Sequence, residues 1–122
     1  MTTTTIQDVR AKVARWQANL LDNAAHNERE AGRTAKQTAD SIRQTARDLR
    51  HRARELGTTL AILREHTSAS QMTAALEARR GMLRARAEQL PPKRSYGPAR
   101  RRLCIAADDC ADVIRLLREV EP

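Results

Sequence analysis

Large apolar residues recur along this chain at steps of three and four, the spacing that places them on one stripe of an α-helix. The first run is Ile6, Val9, Val13, Trp16 and Leu20. Thr4 and Gln7 ahead of it have the spacing of a capping box, which sets the expected start of the helix. Beyond Leu20 the register shifts, and residues 22–41 hold no large apolar side chain. Only alanines such as Ala24, Ala31 and Ala39 are left there to meet a neighbour, and Asn23, Asn27 and Gly32 weaken the stretch as helix. Three readings stand for this stretch: a solvated helix, a close-packed alanine seam, or a hinge centred on residues 22–34.

The second run is the strongest. Ala35, Ala39, Ile42, Ala46, Leu49, Ala53, Leu56, Leu60 and Leu63 alternate steps of four and three without a break. The phase carries through Gly57, so one continuous helix is predicted at a local cost of about 1 kcal/mol. Four heptads of this kind suit coiled-coil or bundle packing. Ile42, Leu49, Leu56, Leu60 and Leu63 are the expected contact residues of an oligomer. Past His66–Thr67, Ser68 and Gln71 repeat the capping-box spacing, and Met72, Leu76, Leu83, Ala87 and Leu90 form a third stripe that Pro91–Pro92 ends. Pro98 suits the first turn of a last helix bearing Leu103, Ala106, Cys110, Val113, Leu117 and Val120. The expected fold is all-α: a long heptad-patterned arm over residues 1–66, then a helical hairpin over 67–122 with a basic linker at 91–99.

Composition sharpens this picture. Phe is absent and the only aromatics are Trp16 and Tyr96, so the core is aliphatic and buries little area per residue. The net charge is +8, and Lys12, Lys36 and Lys93 are the only lysines among 23 basic residues. An arginine-rich chain is suited to phosphate and carboxylate partners, although base composition of a genome also favours arginine. No secretory leader is visible in Met1 to Thr5, no run approaches the ~20 apolar residues of a membrane span, and the two cysteines cannot bridge within one helix. A cytoplasmic location is expected, with no role at a membrane.

Two basic features stand out. Arg29, Arg33, Lys36, Arg43, Arg47, Arg50 and Arg54 keep the three-and-four spacing, interrupted by Asp40. On one continuous helix they span roughly 37 Å. The second is the stretch from Pro91 to Arg102, where Lys93, Arg94, Arg100, Arg101 and Arg102 stand without an acid. Arginines in a first helical turn oppose the macrodipole, and a phosphate there would satisfy both them and the free N–H groups. Tyr96 between them is either a base-stacking platform or an ordinary loop residue. The acids Asp108, Asp109, Asp112, Glu119 and Glu121 concentrate in the last helix, which also allows polar self-contact.

Catalytic chemistry finds little support. There is no glycine-rich phosphate loop and no metal-binding helix motif, and His26, His51 and His66 lie too far apart to form a ligand pair. Asp108 and Asp112 share a face, but Asp112 is better placed for Arg115 than for a metal. Cys110 sits on the apolar stripe as a core residue, and Cys104 lies off it. No enzyme activity, cofactor, metal or small-molecule substrate is expected. The leading expectation is a binding protein that follows nucleic-acid phosphate, DNA or RNA, largely without reading sequence. The alternative is a coiled-coil assembly or adaptor protein, of the kind that serves phages and mobile elements, whose arginine face meets an acidic protein surface. Under either, a homo-oligomer is expected.

Overall fold

The computed structural model describes residues 3–120; Met1 and Thr2 of the N-terminal run and Glu121 of the acidic segment lie outside them. The protein is all-α, with α1 (Ile6–Ala31), α2 (Lys36–Glu65), α3 (Ala69–Gln89) and α4 (Gly97–Leu117). A single 3-10 turn, Arg94–Tyr96, leads into α4. The dominant packing is α1 on α2 and α3 on α4, so the chain is two helical hairpins joined side to side.

Residues 1–66 therefore do not form one rod. Gly32 to Ala35 break the helix, and α2 runs back along α1. The break falls where helix propensity is weakest and no large side chain holds the phase. The Gly32 and Arg33 N–H groups close the end of α1 on the carbonyls of Arg29 and Glu30 respectively, and the Thr34 hydroxyl donates to the Glu30 carbonyl at 2.6 Å. Ala35 enters α2 in an extended conformation without a side-chain cap, so it starts the helix instead of belonging to its seam. Of the three readings for 22–41, the structure combines two. Ala24, Ala31, Ala39 and Ala46 are all buried, and the turn lies at their centre. Alanine facing alanine lets two backbones approach closely, which explains how a stretch without large side chains still packs.

The heptad run of α2 divides into two rows with different fates. Ala39, Ala46, Ala53 and Leu60 are buried along the whole helix. In the other row Leu56 and Leu63 are buried while Ile42 and Leu49 are half-buried. The difference is how far the second hairpin reaches: α3 and α4 cover α2 near Leu56 and Leu63 but stop short of its first turns. Leu56, Leu60 and Leu63 thus need no second copy to cover them. They join Val9 and Val13 of α1, Met72 and Leu76 of α3, and Ala107, Cys110 and Val113 of α4 in one cluster.

Helix ends follow local chemistry with small shifts from the sequence reading. The first capping box is built by Thr5 and Asp8, one residue later than Thr4 and Gln7: the Thr5 N–H donates to Asp8 at 2.9 Å and the Thr5 hydroxyl accepts from the Asp8 N–H at 3.1 Å. Ser68 caps α3 as expected, and Pro98 sits in the first turn of α4. The helix through Gly57 is unbroken, and this glycine has a packing reason. A Cβ there would meet the Gln17 amide nitrogen at 2.8 Å, and that nitrogen donates to the Ala53 carbonyl at 3.0 Å. No described helix is long and apolar enough to cross a membrane.

Candidate nucleic-acid interface

The turn at Gly32–Ala35 divides the basic stripe. Arg29 lies at the end of α1 and Arg33 in the turn, while Lys36, Arg43, Arg47, Arg50 and Arg54 remain in line on α2, all exposed. This remainder spans about 27 Å, shorter than a continuous helix would give. Folding back also brings an acid that linear spacing does not reveal. Glu28 of α1 comes beside Arg43, Arg47 and Arg50 and takes a charged hydrogen bond from Arg50 at 2.5 Å. Arg43 pairs with Asp40 at 3.3 Å, and Arg47 donates to the Gln44 amide oxygen at 2.7 Å. These pairs are about half exposed, so each is worth little and is readily exchanged for another anion. Among the described residues Arg29, Lys36 and Arg54 have no ion pair.

The linker arginines separate into different jobs. Arg100 turns away from solvent anions and donates to the Ala87, Leu90 and Pro91 carbonyls at 3.4, 3.1 and 2.9 Å. Those carbonyls are the orphaned, electronegative end of α3, so Arg100 is a helix cap supplied from α4. Arg102 reaches across to Asp48 of α2 at 3.0 Å. Lys93, Arg94 and Arg101 are exposed, and Tyr96 is 38% exposed. Arg102 thereby ties the two basic features together: with Arg47, Arg50, His51 and Arg54 it lines one open groove over α2. Five basic side chains converge on that groove, and among the described residues Glu28, Asp48 and Glu55 are the acids paired with them, Glu55 also being held by Arg79.

Comparison with protein-family models, with curated proteins and with solved structures finds no match. The chemistry of the site is therefore read from its own residues. Among the described residues no group of three or more potential ligands is placed to hold a metal ion. Asp112 is engaged by Arg115 at 3.0 Å. Cys104 is exposed and Cys110 buried, both as free thiols. Burial pushes the Cys110 thiol above its ordinary range, and the Thr59 hydroxyl beside it only partly opposes this.

Several charged residues that linear patterning passed over prove to be structural. Arg52 sets its guanidinium 5.2 Å from the Trp16 ring centroid and makes two hydrogen bonds, at 2.9 and 2.8 Å, to Asp109, which is only 3% exposed. Those bonds raise the Arg52 pKa above its ordinary value despite the opposing effect of burial. Arg79 occupies the gap in the third stripe between Leu76 and Leu83 and pairs with Glu55 of α2. Arg10 caps the end of α2 by donating to the Leu63 carbonyl at 3.0 and 2.8 Å and to that of His66 at 2.9 Å. A missing apolar residue between Leu76 and Leu83 was a visible sign of Arg79. Arg10, Arg52 and Asp109 carried no such mark, because their partners are 36 or more residues away.

Proposed function

We propose that this protein binds the phosphate backbone of nucleic acid, without catalysis and largely without reading sequence. The observation that carries the reading is the groove over α2, where Arg47, Arg50, His51, Arg54 and Arg102 line one open surface. Arginine forks on a rigid helix suit phosphate oxygens, which they bind bidentately. The arginines used elsewhere strengthen the argument by contrast. Arg10, Arg52, Arg79 and Arg100 each satisfy an internal carbonyl or carboxylate, whereas in the groove Arg47 and Arg54 hold no carboxylate among the described residues and Arg50 and Arg102 hold only the exposed acids Glu28 and Asp48. Their charge is left for an external anion, and the chain carries it at a net +8. The groove lining is arginine and histidine alone, a set suited to phosphate oxygens and without the mixture of donors and acceptors that distinguishes all four base pairs.

The test is fluorescence-anisotropy titration of short DNA and RNA strands across a range of salt. Affinity should fall steeply with salt, each phosphate contact adding about 0.7–0.9 to the logarithmic slope. Replacing Arg47, Arg50 and Arg54 together with Gln should reduce that slope by about two units. Glu28→Gln, which releases Arg50, should tighten binding. Binding that is absent at physiological salt, or tighter to a polyglutamate peptide than to nucleic acid, would assign the arginines to an acidic protein surface instead.

A further inference from the structure

Resting on that reading, we infer that the protein prefers single-stranded nucleic acid, because a recess beside the basic groove receives one unstacked base. The recess lies between α2 and α4 with a volume of about 170 Å³. Its apolar lining comes from Leu49, Pro98, Ile105 and Ala106, and its rim carries His51, Arg101 and Arg102. His51 and Arg102 also line the phosphate groove, so the two sites are continuous.

The recess exists for the same reason that Leu49 is only half-buried. The second hairpin stops at this level, and Pro98 begins α4 at its edge. A ligand pocket for an ordinary small molecule measures about 300–1,000 Å³. This one is smaller, and fits one flat ring system whose chain continues outside. Arg52 also lines it and is held in place by its two bonds to Asp109, so that wall is preformed. The two acids of the lining are already engaged, Asp48 by Arg102 and Glu55 by Arg79, which leaves the rim basic.

A nucleobase matches each of these features. It is flat, has an apolar face, and is attached to a phosphate that belongs in the adjoining groove. Histidine rings and arginine planes are suitable stacking surfaces for it. A base within a duplex cannot enter unless it leaves its stack and its pair, a cost that a single strand largely avoids. Strand preference therefore follows from the recess, whereas phosphate affinity follows from the groove.

The experiment measures anisotropy for three probes of equal length: a single strand, its duplex, and a strand of abasic spacers. Helicity of every variant is checked by circular dichroism. The single strand should bind about tenfold or more tighter than either of the other probes at the same salt. Leu49→Gln and Ile105→Gln change no charge, and each should erase that preference while keeping the abasic strand's affinity and salt slope. Equal binding of all three probes with a steep salt slope overturns the base recess and leaves the phosphate reading intact. A single-strand preference that survives both variants also overturns it, and moves the base contact to another residue such as Tyr96. No binding by any probe overturns both.

Discussion

Removing Arg52 should destabilise the protein far more than removing its partner Asp109. The pair is asymmetric: the Asp109 side chain is 5% exposed, whereas that of Arg52 is 36% exposed. In Arg52→Ala the carboxylate stays behind in the interior without its two donors. An orphaned buried charge of this kind costs about 3–5 kcal/mol. The same substitution loses the guanidinium's contact with Trp16, adding about 0.5–1 kcal/mol. In Asp109→Ala the arginine loses its partner but is already partly in water and turns outward. The cost there is nearer the ~1.5–3 kcal/mol of a hydrogen bond to a charged group. Urea denaturation followed by helical circular dichroism should therefore rank Arg52→Ala at least 1 kcal/mol below Asp109→Ala, on an order-of-magnitude basis. The decisive measurement is the double variant. Once Arg52 is gone, also removing the carboxylate should restore stability, so Arg52→Ala/Asp109→Ala should be more stable than Arg52→Ala alone. Equal single costs of less than about 1 kcal/mol, with additive behaviour in the double variant, would refute the idea of a buried charge held by one arginine.

Three further outcomes are expected. Leu56→Ala removes a side chain that is 1% exposed and should cost about 2–5 kcal/mol, with a midpoint independent of protein concentration because the chain itself covers the site; a concentration-dependent midpoint would restore this row to an interface. Cys104 should react promptly with a thiol reagent under native conditions while Cys110 reacts only as the protein unfolds, read as one thiol against two on addition of denaturant. Hydrogen bonds from the Thr5 backbone N–H and then its hydroxyl hold the Asp8 carboxyl below its ordinary range, so its stabilising contribution is present above the unfolded-state pKa and is lost as pH falls through the folded value. Asp8→Asn should flatten that acid limb in a pH series of melting temperatures, and an unchanged limb would assign it to other carboxylates.

How much of this was legible beforehand differs by kind of feature. The all-α class, the continuous helix through Gly57, the stop at Pro91–Pro92 and the entry of α4 at Pro98 could all be read from the sequence. Each rests on local terms: apolar spacing, backbone propensity and the missing N–H of proline. The core positions Leu56, Leu60, Leu63, Met72, Leu76, Cys110 and Val113 were legible for the same reason, since a stripe at helical spacing must be buried against something. What covers each stripe was not legible. A heptad row has the same appearance whether its partner is another copy or the preceding helix. The choice was made at Gly32–Ala35, where the chain turns back and α1 becomes the neighbour of α2. The same turn divided the basic stripe and brought Glu28 to Arg50.

Tertiary structure also decided which arginines are free. In the linear chain Arg10, Arg47, Arg52, Arg54, Arg79 and Arg100 are equivalent cations on helical segments. In the fold, Arg10 and Arg100 lie against the carbonyl ends of α2 and α3, and Arg52 and Arg79 against acids of another helix. Arg47 and Arg54 meet only an amide or solvent. Local spacing determines which face a charge occupies, because the helix period is a property of the backbone. Whether that charge is consumed internally or remains available to a partner depends on groups tens of residues away, and only the packing of the two hairpins brings those groups together.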